Sequence, residues 1–321
     1  MITYDPIPLE KIREAYNRIK EDVIRTPLVK MNYQNTSAEI YLKLENLQPV
    51  RSFKIRGANN AIKLLDKQSL EKGVWTVSAG NHAQGVAWTA QKLGIKCTIV
   101  LPENVPKTKL EKIHQMGAET VKVSHDKYLQ IYWTRKHEGV DGTLVHAFSD
   151  LNVMAGAGTI GIEIFEDFPL VDTILIPWGG GGLTCGIASA LRALKPDVKI
   201  LACEVETGAP LTASFSSGKA LSGVDYVPSF IDGISAPWVF PEMFELAREL
   251  IDGTIVVSLD EVADAVRLLV ERNCVVAEGA GAVSVAAALS GRAGLGNIVC
   301  IVSGGNIDPE KLVQILQGQT P

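Results

Sequence analysis

GVWTVSAGNHAQGVAWTAQKLGIKCTIVLP, residues 73–102, falls into three pieces. The first, GVWTVSAG, is a β-branched and aromatic run ending in small residues, and the last, KCTIVLP at 96–102, is a second apolar run stopped by proline. Between them, Asn81 to Leu93 is of helix length and free of proline. Two strands joined through a helix cannot form a hairpin. They lie parallel in one sheet, as a βαβ unit.

The alternation extends in both directions. Downstream, a helix near 107–116 precedes the strand ETVKV at 119–123, a helix near 127–138 precedes TLVHAF at 143–148, and a helix over 152–167 precedes TILIPW at 173–178. A helix near 183–194 and the strand KILACEV at 199–205 follow. Residues 206–240 hold several Gly, Pro and Ser without a period and read as loop with short helices. Regularity returns with a helix over 259–273, a small-residue helix near 279–290, the strand NIVCIVSG at 297–304 and a closing helix. Upstream, Leu9, Ile12, Ala15, Ile19 and Val23 recur at helical spacing over 8–23, AEIYLKL at 38–44 is strand-like, and GANNAIKLLDKQ at 57–68 is helical. The fold class is α/β, with mostly parallel sheets flanked by helices.

Composition narrows the function classes. The 321 residues are 46% hydrophobic and 21% charged, which suffices for two lobes with a sizeable core. A net charge of −5 without a basic block argues against a nucleic-acid partner. The five cysteines, at 97, 185, 203, 274 and 300, are scattered and lack metal-ligand spacing, so a reducing compartment and no metal site are expected. The opening MITYDPIPLEKIREAYNRIK has early acids and no apolar core, unlike a signal peptide, and no run approaches a membrane span. A soluble, cytoplasmic protein with no membrane partner is expected.

Three junctions between strand and helix carry candidate chemistry. Pro177-Trp178-Gly179-Gly180-Gly181-Gly182-Leu183 leads from a strand into a small-residue helix. Its glycines let several N–H groups converge, and the helix N-terminus adds positive dipole, a combination that suits a phosphate. Ser78-Ala79-Gly80-Asn81-His82 offers amides, a hydroxyl and a carboxamide that suit a carboxylate, or else Ser78 or Asn81 simply caps the helix. Ser303-Gly304-Gly305-Asn306 ends the last strand, and Glu278-Gly279-Ala280-Gly281 opens a helix. Ligands of open α/β sheets gather at the carboxyl ends of strands, where 78–82, 179–183 and 303–306 all lie.

A fourth glycine pattern points elsewhere. Gly156-Ala157-Gly158-Thr159-Ile160-Gly161 has the G-x-G-x-x-G spacing, but Ser149 or Asp150 is placed to cap a helix before it, and Asp172 follows Gly161 by only 11 positions. That context favours close helix packing over dinucleotide binding. In Arg51-Ser52-Phe53-Lys54-Ile55-Arg56-Gly57-Ala58, burial and the charge of Arg56 are both expected to lower the pKa of Lys54 and free its amine for attack on a carbonyl.

Together, the motifs at 52–58, 78–85, 179–183 and 303–306 resemble, in order, those of the pyridoxal-phosphate-dependent threonine/serine dehydratases (threonine ammonia-lyases), kin of serine racemase. The resemblance covers nearly the whole chain. It implies a fold-type II enzyme, similar to the tryptophan synthase β chain, with a large lobe from 1–49 and 151–321 and a small mobile lobe from 50–150. It implies that Lys54 bonds the aldehyde of pyridoxal 5'-phosphate, Phe53 packs near the ring, Asn81 bonds the ring's 3-oxygen, Gly179, Gly180, Gly181, Gly182 and Leu183 hold the phosphate, and Ser303 takes the pyridine nitrogen. Glu278 matches the family's carboxylate near the site. Ser78, Ala79, Gly80, Asn81 and His82 receive the substrate carboxylate, with His82 as a structural histidine.

The implied reaction is dehydration and deamination of L-threonine or L-serine to a 2-oxo acid and ammonia, in a homodimer or homotetramer. Ala79 stands where racemising relatives carry a serine, and a methyl group cannot carry a proton, which opposes an amino acid racemase. Glu204 and Gly208 match two positions of a cation site of some relatives, but Pro210 replaces the third ligand. Ending at 321, the chain is expected to have no C-terminal regulatory domain. Alternatives are a bulkier β-hydroxy substrate (a β-aryl serine or hydroxyaspartate), with Trp178, Tyr128, Tyr132 or Trp133 lining its pocket, a silent ligand-binding homologue, and a dehydrogenase suggested only by 156–161.

Overall fold

The computed structural model describes residues 2–33, 36–105, 107–234 and 236–321. Its strands are β1 (Leu28–Lys30), β2 (Ala38–Lys43), β3 (Val74–Val77), β4 (Cys97–Pro102), β5 (Glu119–Val123), β6 (Thr143–Leu144), β7 (Thr173–Pro177), β8 (Lys199–Val205), β9 (Gly253–Val257) and β10 (Gly296–Ile301). They form two sheets, ordered β1-β2-β10-β7-β8-β9 and β5-β4-β3-β6. The opening βαβ unit is present: β3 and β4 are parallel, Val74 opposite Cys97 and Val77 opposite Val100, with the helix Asn81–Leu93 between them. Among the described residues only the strand β1 runs antiparallel, at the edge of the larger sheet. β7 and β10 are buried on both faces, which accounts for their unbroken apolar runs. Among the described residues no helix is long and apolar enough to cross a membrane.

The glycine pattern at 156–161 lies inside the helix Leu151–Asp167, which Asp150 caps by accepting from the N–H groups of Asn152 (2.8 Å) and Val153 (3.1 Å). A Cβ on Gly158 would stand 2.7 Å from the Gly186 oxygen, and one on Gly161 2.9 Å from Ala190 Cβ. These glycines bring the helix onto its neighbour Gly182–Leu194, so the dinucleotide reading is set aside.

Several expected bounds shift. The first helix spans Leu9–Ile19, short of Val23. The segment read as one helix over 57–68 is two, Lys54–Lys63 and Lys67–Lys72, because Asp66 caps the second through the Ser69 N–H. The helix read near 127–138 spans His125–Thr134, ended by Arg135 in the left-handed region at φ 60°. The strand read over 143–148 pairs as β6 only at Thr143 and Leu144, since the next carbonyls turn to other partners: Val145 O accepts from Thr76 Oγ1, and Ala147 O from Lys54. β1, β9 and the helix Pro241–Leu250 were not expected from the pattern.

Candidate active site

The carboxyl ends of β3, β7 and β10 face one cleft of about 340 Å³. Lining it are Phe53 and Lys54, Ser78 to His82, Gly179 to Leu183, Glu278 and Ser303, so five segments apart in sequence supply one wall system.

Lys54 opens the helix Lys54–Lys63, with its Nζ 2.8 Å from Ala147 O and 5.1 Å from the centre of the Phe53 ring. Loss of solvent lowers its pKa from 10.5 to about 8. The expected contribution of Arg56 is absent, because its guanidinium points away into a buried knot of charges. Arg56 donates to Glu45 through Nε and Nη2 (2.8 Å each) and to Glu163 through Nη1 (2.7 Å) and Nη2 (2.9 Å). Burial works against its charge, but the two carboxylates hold the guanidinium proton more firmly than usual. Lys43 Nζ completes the knot at 2.7 Å from Glu163. Lys43 also lies 3.9 Å from Asp167, so carboxylates match both cations and leave no surplus positive charge to act on Lys54.

Opposite the lysine, Gly179 to Gly182 turn into the helix Gly182–Leu194. Gly181 sits at φ 91°, where a side chain is strained, and a Cβ on Gly180 would collide with the Phe148 ring. The first N–H groups of that helix have no acceptor within it and point, with its dipole, toward the cleft end. A turn of this kind suits an anion and forms a candidate cradle.

A chain of amides joins the remaining segments. Asn81 Nδ2 donates to Glu278 Oε1 (2.6 Å), and Asn306 Nδ2 donates to Asn81 Oδ1 (2.9 Å) and to Val50 O (2.9 Å). The second N–H of Asn81 remains for a ligand. Ser303 is buried, with its Oγ 3.5 Å from Ala280 O, too long for a strong bond. Neither Ser78 nor Asn81 caps the helix Asn81–Leu93: the cap residue is Gly80, whose N–H donates to Ser78 Oγ at 3.2 Å. That helix therefore also offers open amides. His82 is buried, its Nε2 2.9 Å from Val145 O, and burial with the nearby Lys54 charge lowers its pKa to about 3. It is neutral at ordinary pH and holds backbone, as a structural histidine does.

Glu204 has an internal occupation. Its carboxylate accepts from Leu211 N (2.8 Å), Thr212 N (2.8 Å) and Thr212 Oγ1 (2.6 Å), at the start of the helix Pro210–Ser217. Burial still pushes the Glu204 carboxyl up, against the pull of those three donors.

Of the aromatic residues proposed for a side-chain pocket, Tyr128 and Tyr132 line the cleft. Trp133 instead stacks on Phe240 (centroids 4.1 Å apart), and Trp178 is buried behind the cradle against Gly181. Phe148, Trp238 and Asn306, which also line the cleft, were missed as site residues. Their signals are weak: Phe148 lies inside an expected strand, Trp238 in the stretch without period, and Asn306 at the end of a motif whose pattern gives it no role of its own.

Arg51 has no side-chain account, but its backbone does. At φ 57° it occupies the left-handed region, and its carbonyl accepts from Gly305 N at 2.9 Å, while Ser52 pairs with Gly304. The lysine segment and the Ser303 segment are stitched together there. Arg51→Val, which suits that backbone poorly, should cost about 1–2 kcal/mol in urea melts, while Arg51→Gly should not.

These residues suit pyridoxal phosphate. A glycine cradle that a Cβ would fill faces an amine of lowered pKa, with a buried hydroxyl and a carboxamide nearby. Comparison with known proteins agrees. Residues 19–304 match the pyridoxal-phosphate dependent enzyme family. The L-threonine ammonia-lyase of Thermotoga maritima is 42% identical over 315 residues, 97% of this chain and 78% of that protein. A catabolic L-threonine dehydratase of Staphylococcus aureus is 38% identical over 322 residues, 97% and 92% of the two chains. Maize serine racemase, 33% identical, superposes with a TM-score of 0.88 over 98% of both chains. With likeness of this extent and a site built for the cofactor, the chain belongs to the pyridoxal-phosphate-dependent enzymes, in their fold-type II architecture.

Proposed function

We propose that this enzyme is an ammonia-lyase that dehydrates and deaminates L-threonine, and L-serine with it, to a 2-oxo acid and ammonia. The observation that carries the reading is the Lys54 amine, held at a pKa of about 8 across the cleft from the Gly179–Gly182 cradle. The relatives named as threonine ammonia-lyase and threonine dehydratase support the substrate class.

Pyridoxal phosphate, when bound, supplies an electron sink for the charge left at the α-carbon. The protein does the rest. Gly179 to Gly182 and Leu183 would hold the phosphate by backbone N–H groups, Phe53 and Asn81 would orient the ring, with Glu278 fixing the Asn81 amide, and Ser303 would offer its hydroxyl to the ring nitrogen. Amides of Ser78 to His82 hold the substrate carboxylate. Lys54 is the bonding amine and, once freed, takes the α-proton, for which a pKa near working pH suits it. Loss of the β-hydroxyl as water leaves an enamine, which tautomerises and takes up water to give the 2-oxo acid and ammonia.

Ala79 lines the cleft with a methyl group, which directs the enzyme to elimination over racemisation. Ala79→Ser should raise D-serine formation from L-serine about tenfold or more, read by chiral chromatography. Of the segment 50–150, the part beyond the helix Lys54–Lys63 closes on substrate against the rest of the chain, and the working enzyme is a cytoplasmic homodimer or homotetramer. The function is tested by incubating purified enzyme with L-threonine. A visible cofactor band with 2-oxobutanoate release supports it, and the band without any 2-oxo acid from L-threonine or L-serine overturns it.

A further inference from the structure

We propose that the helix Leu151–Asp167 is the spacer that sets the distance from Lys54 to the anion cradle, with Gly156 and Arg56 as positioning residues. The inference rests on the reading of Lys54 as the amine that bonds the cofactor aldehyde. The two halves of the site begin two different helices, Lys54–Lys63 and Gly182–Leu194, and both pack on this third one with backbone touching backbone. On the cradle side, a Cβ on Gly158 would stand 2.7 Å from Gly186 O. On the lysine side, one on Gly57 would stand 2.7 Å from Val153 O, and one on Gly156 would collide with Arg56 O. At Gly156 and Gly158 the nearest neighbour is backbone, and at Gly57 it is the backbone oxygen of Val153 with the Val153 side chain beside it.

Charge fixes the same turn a second time. Glu163, on the spacer, is bidentate to Arg56, two residues beyond Lys54, and Glu45 grips the guanidinium from the other side. The segment entering the spacer also serves both halves, since Ala147 O accepts from Lys54 and the Phe148 ring covers Gly180. Rotation or sliding of the lysine helix against the cradle is therefore blocked by sterics and by ion pairing together. The G-x-G-x-x-G spacing serves this purpose: Gly156 faces the lysine helix, while Gly158 and Gly161 face the cradle helix.

The test separates the lysine from the cradle. Pyridoxamine 5'-phosphate carries an amine in place of the aldehyde, so its binding to cofactor-free enzyme reports the cradle and the ring contacts without the bond to Lys54, whereas growth of the visible band with pyridoxal phosphate reports Lys54. In Gly156→Ala the added methyl forces the lysine helix about 1 Å outward, so band growth should slow about tenfold or more and kcat for L-threonine fall about 100-fold, with KM and pyridoxamine phosphate affinity within about threefold of the parent. Gly161→Ala, a clash on the same helix that faces Ala190 and Ile187 instead, should lose stability without that split. The proposal is overturned if Gly156→Ala forms its band at the parent rate, if pyridoxamine phosphate affinity falls in step with the band, or if Gly161→Ala gives the same split. If Gly156→Ala does not fold, Gly57→Ala presses the same two helices apart and is held to the same outcomes. A parent enzyme that forms no band would instead sink the reading of Lys54 itself.

Discussion

A Lys54→Ala variant is expected to convert L-threonine at least about 10,000-fold more slowly than the parent, because on the proposed mechanism it removes both the bonding amine and the base at the α-carbon. The visible band should vanish with it, while phosphate affinity of the cleft stays, since the cradle is backbone. The pH dependence follows from burial. With a pKa of about 8, against 10.5 for a free lysine, the amine of cofactor-free enzyme should react with pyridoxal phosphate along a curve rising through pH 8. The same depression affects stability. Below pH 8 both folded and unfolded chains carry the charge and the burial cost is complete; between pH 8 and 10.5 the folded chain alone sheds its proton and the cost fades. Lys54→Ala should therefore be the more stable protein at neutral pH, by about 2 kcal/mol in denaturant melts, with the advantage shrinking as pH rises through that window. An inactive variant that is also destabilised at pH 7 would mean that the amine supports the fold.

The second large effect lies in the charge knot. Arg56→Met leaves Glu45 and Glu163 buried with Lys43 as their single remaining strong cation, and removing one member of a buried ion cluster costs about 3–5 kcal/mol. Burial alone favours the neutral acid, yet Arg56 holds Glu45 below the usual carboxylate range. Without the guanidinium that support is gone, so the variant should lose most of its margin in urea melts and recover part of it at low pH, as a carboxylate takes up a proton. A loss within about 1 kcal/mol, as for an exposed pair, would show that the knot is replaceable.

Much of this was legible in the sequence for identifiable reasons. Parallel strands buried on both faces must be apolar throughout, so β3, β4, β7, β8 and β10 stand out, and glycine runs at strand ends are too costly in entropy to be idle. What escaped was written more faintly. β1 is three residues at an edge, and β9 is five. The helix Pro241–Leu250 did carry a signal, with Pro241 in its first turn and Met243, Phe244, Ala247 and Leu250 along one buried face, but it follows a long stretch without period. The direction of Arg56 was beyond reach, because its partners lie 11 and 107 residues away. Proximity in sequence made its charge look like a neighbour of Lys54, whereas helix geometry turns the two side chains apart.

Trp178, buried with its ring edge against Gly181, gives the cradle an optical reporter of its own. Indole emission overlaps the absorption of pyridoxal compounds, and energy transfer over so short a path is efficient. Arrival of the cofactor should thus darken this tryptophan, and Trp238 in the cleft wall with it, before any chemistry occurs. A fluorescence trace can then time the filling of the phosphate site separately from the bond made at Lys54, so loading of the enzyme becomes two resolvable kinetic phases.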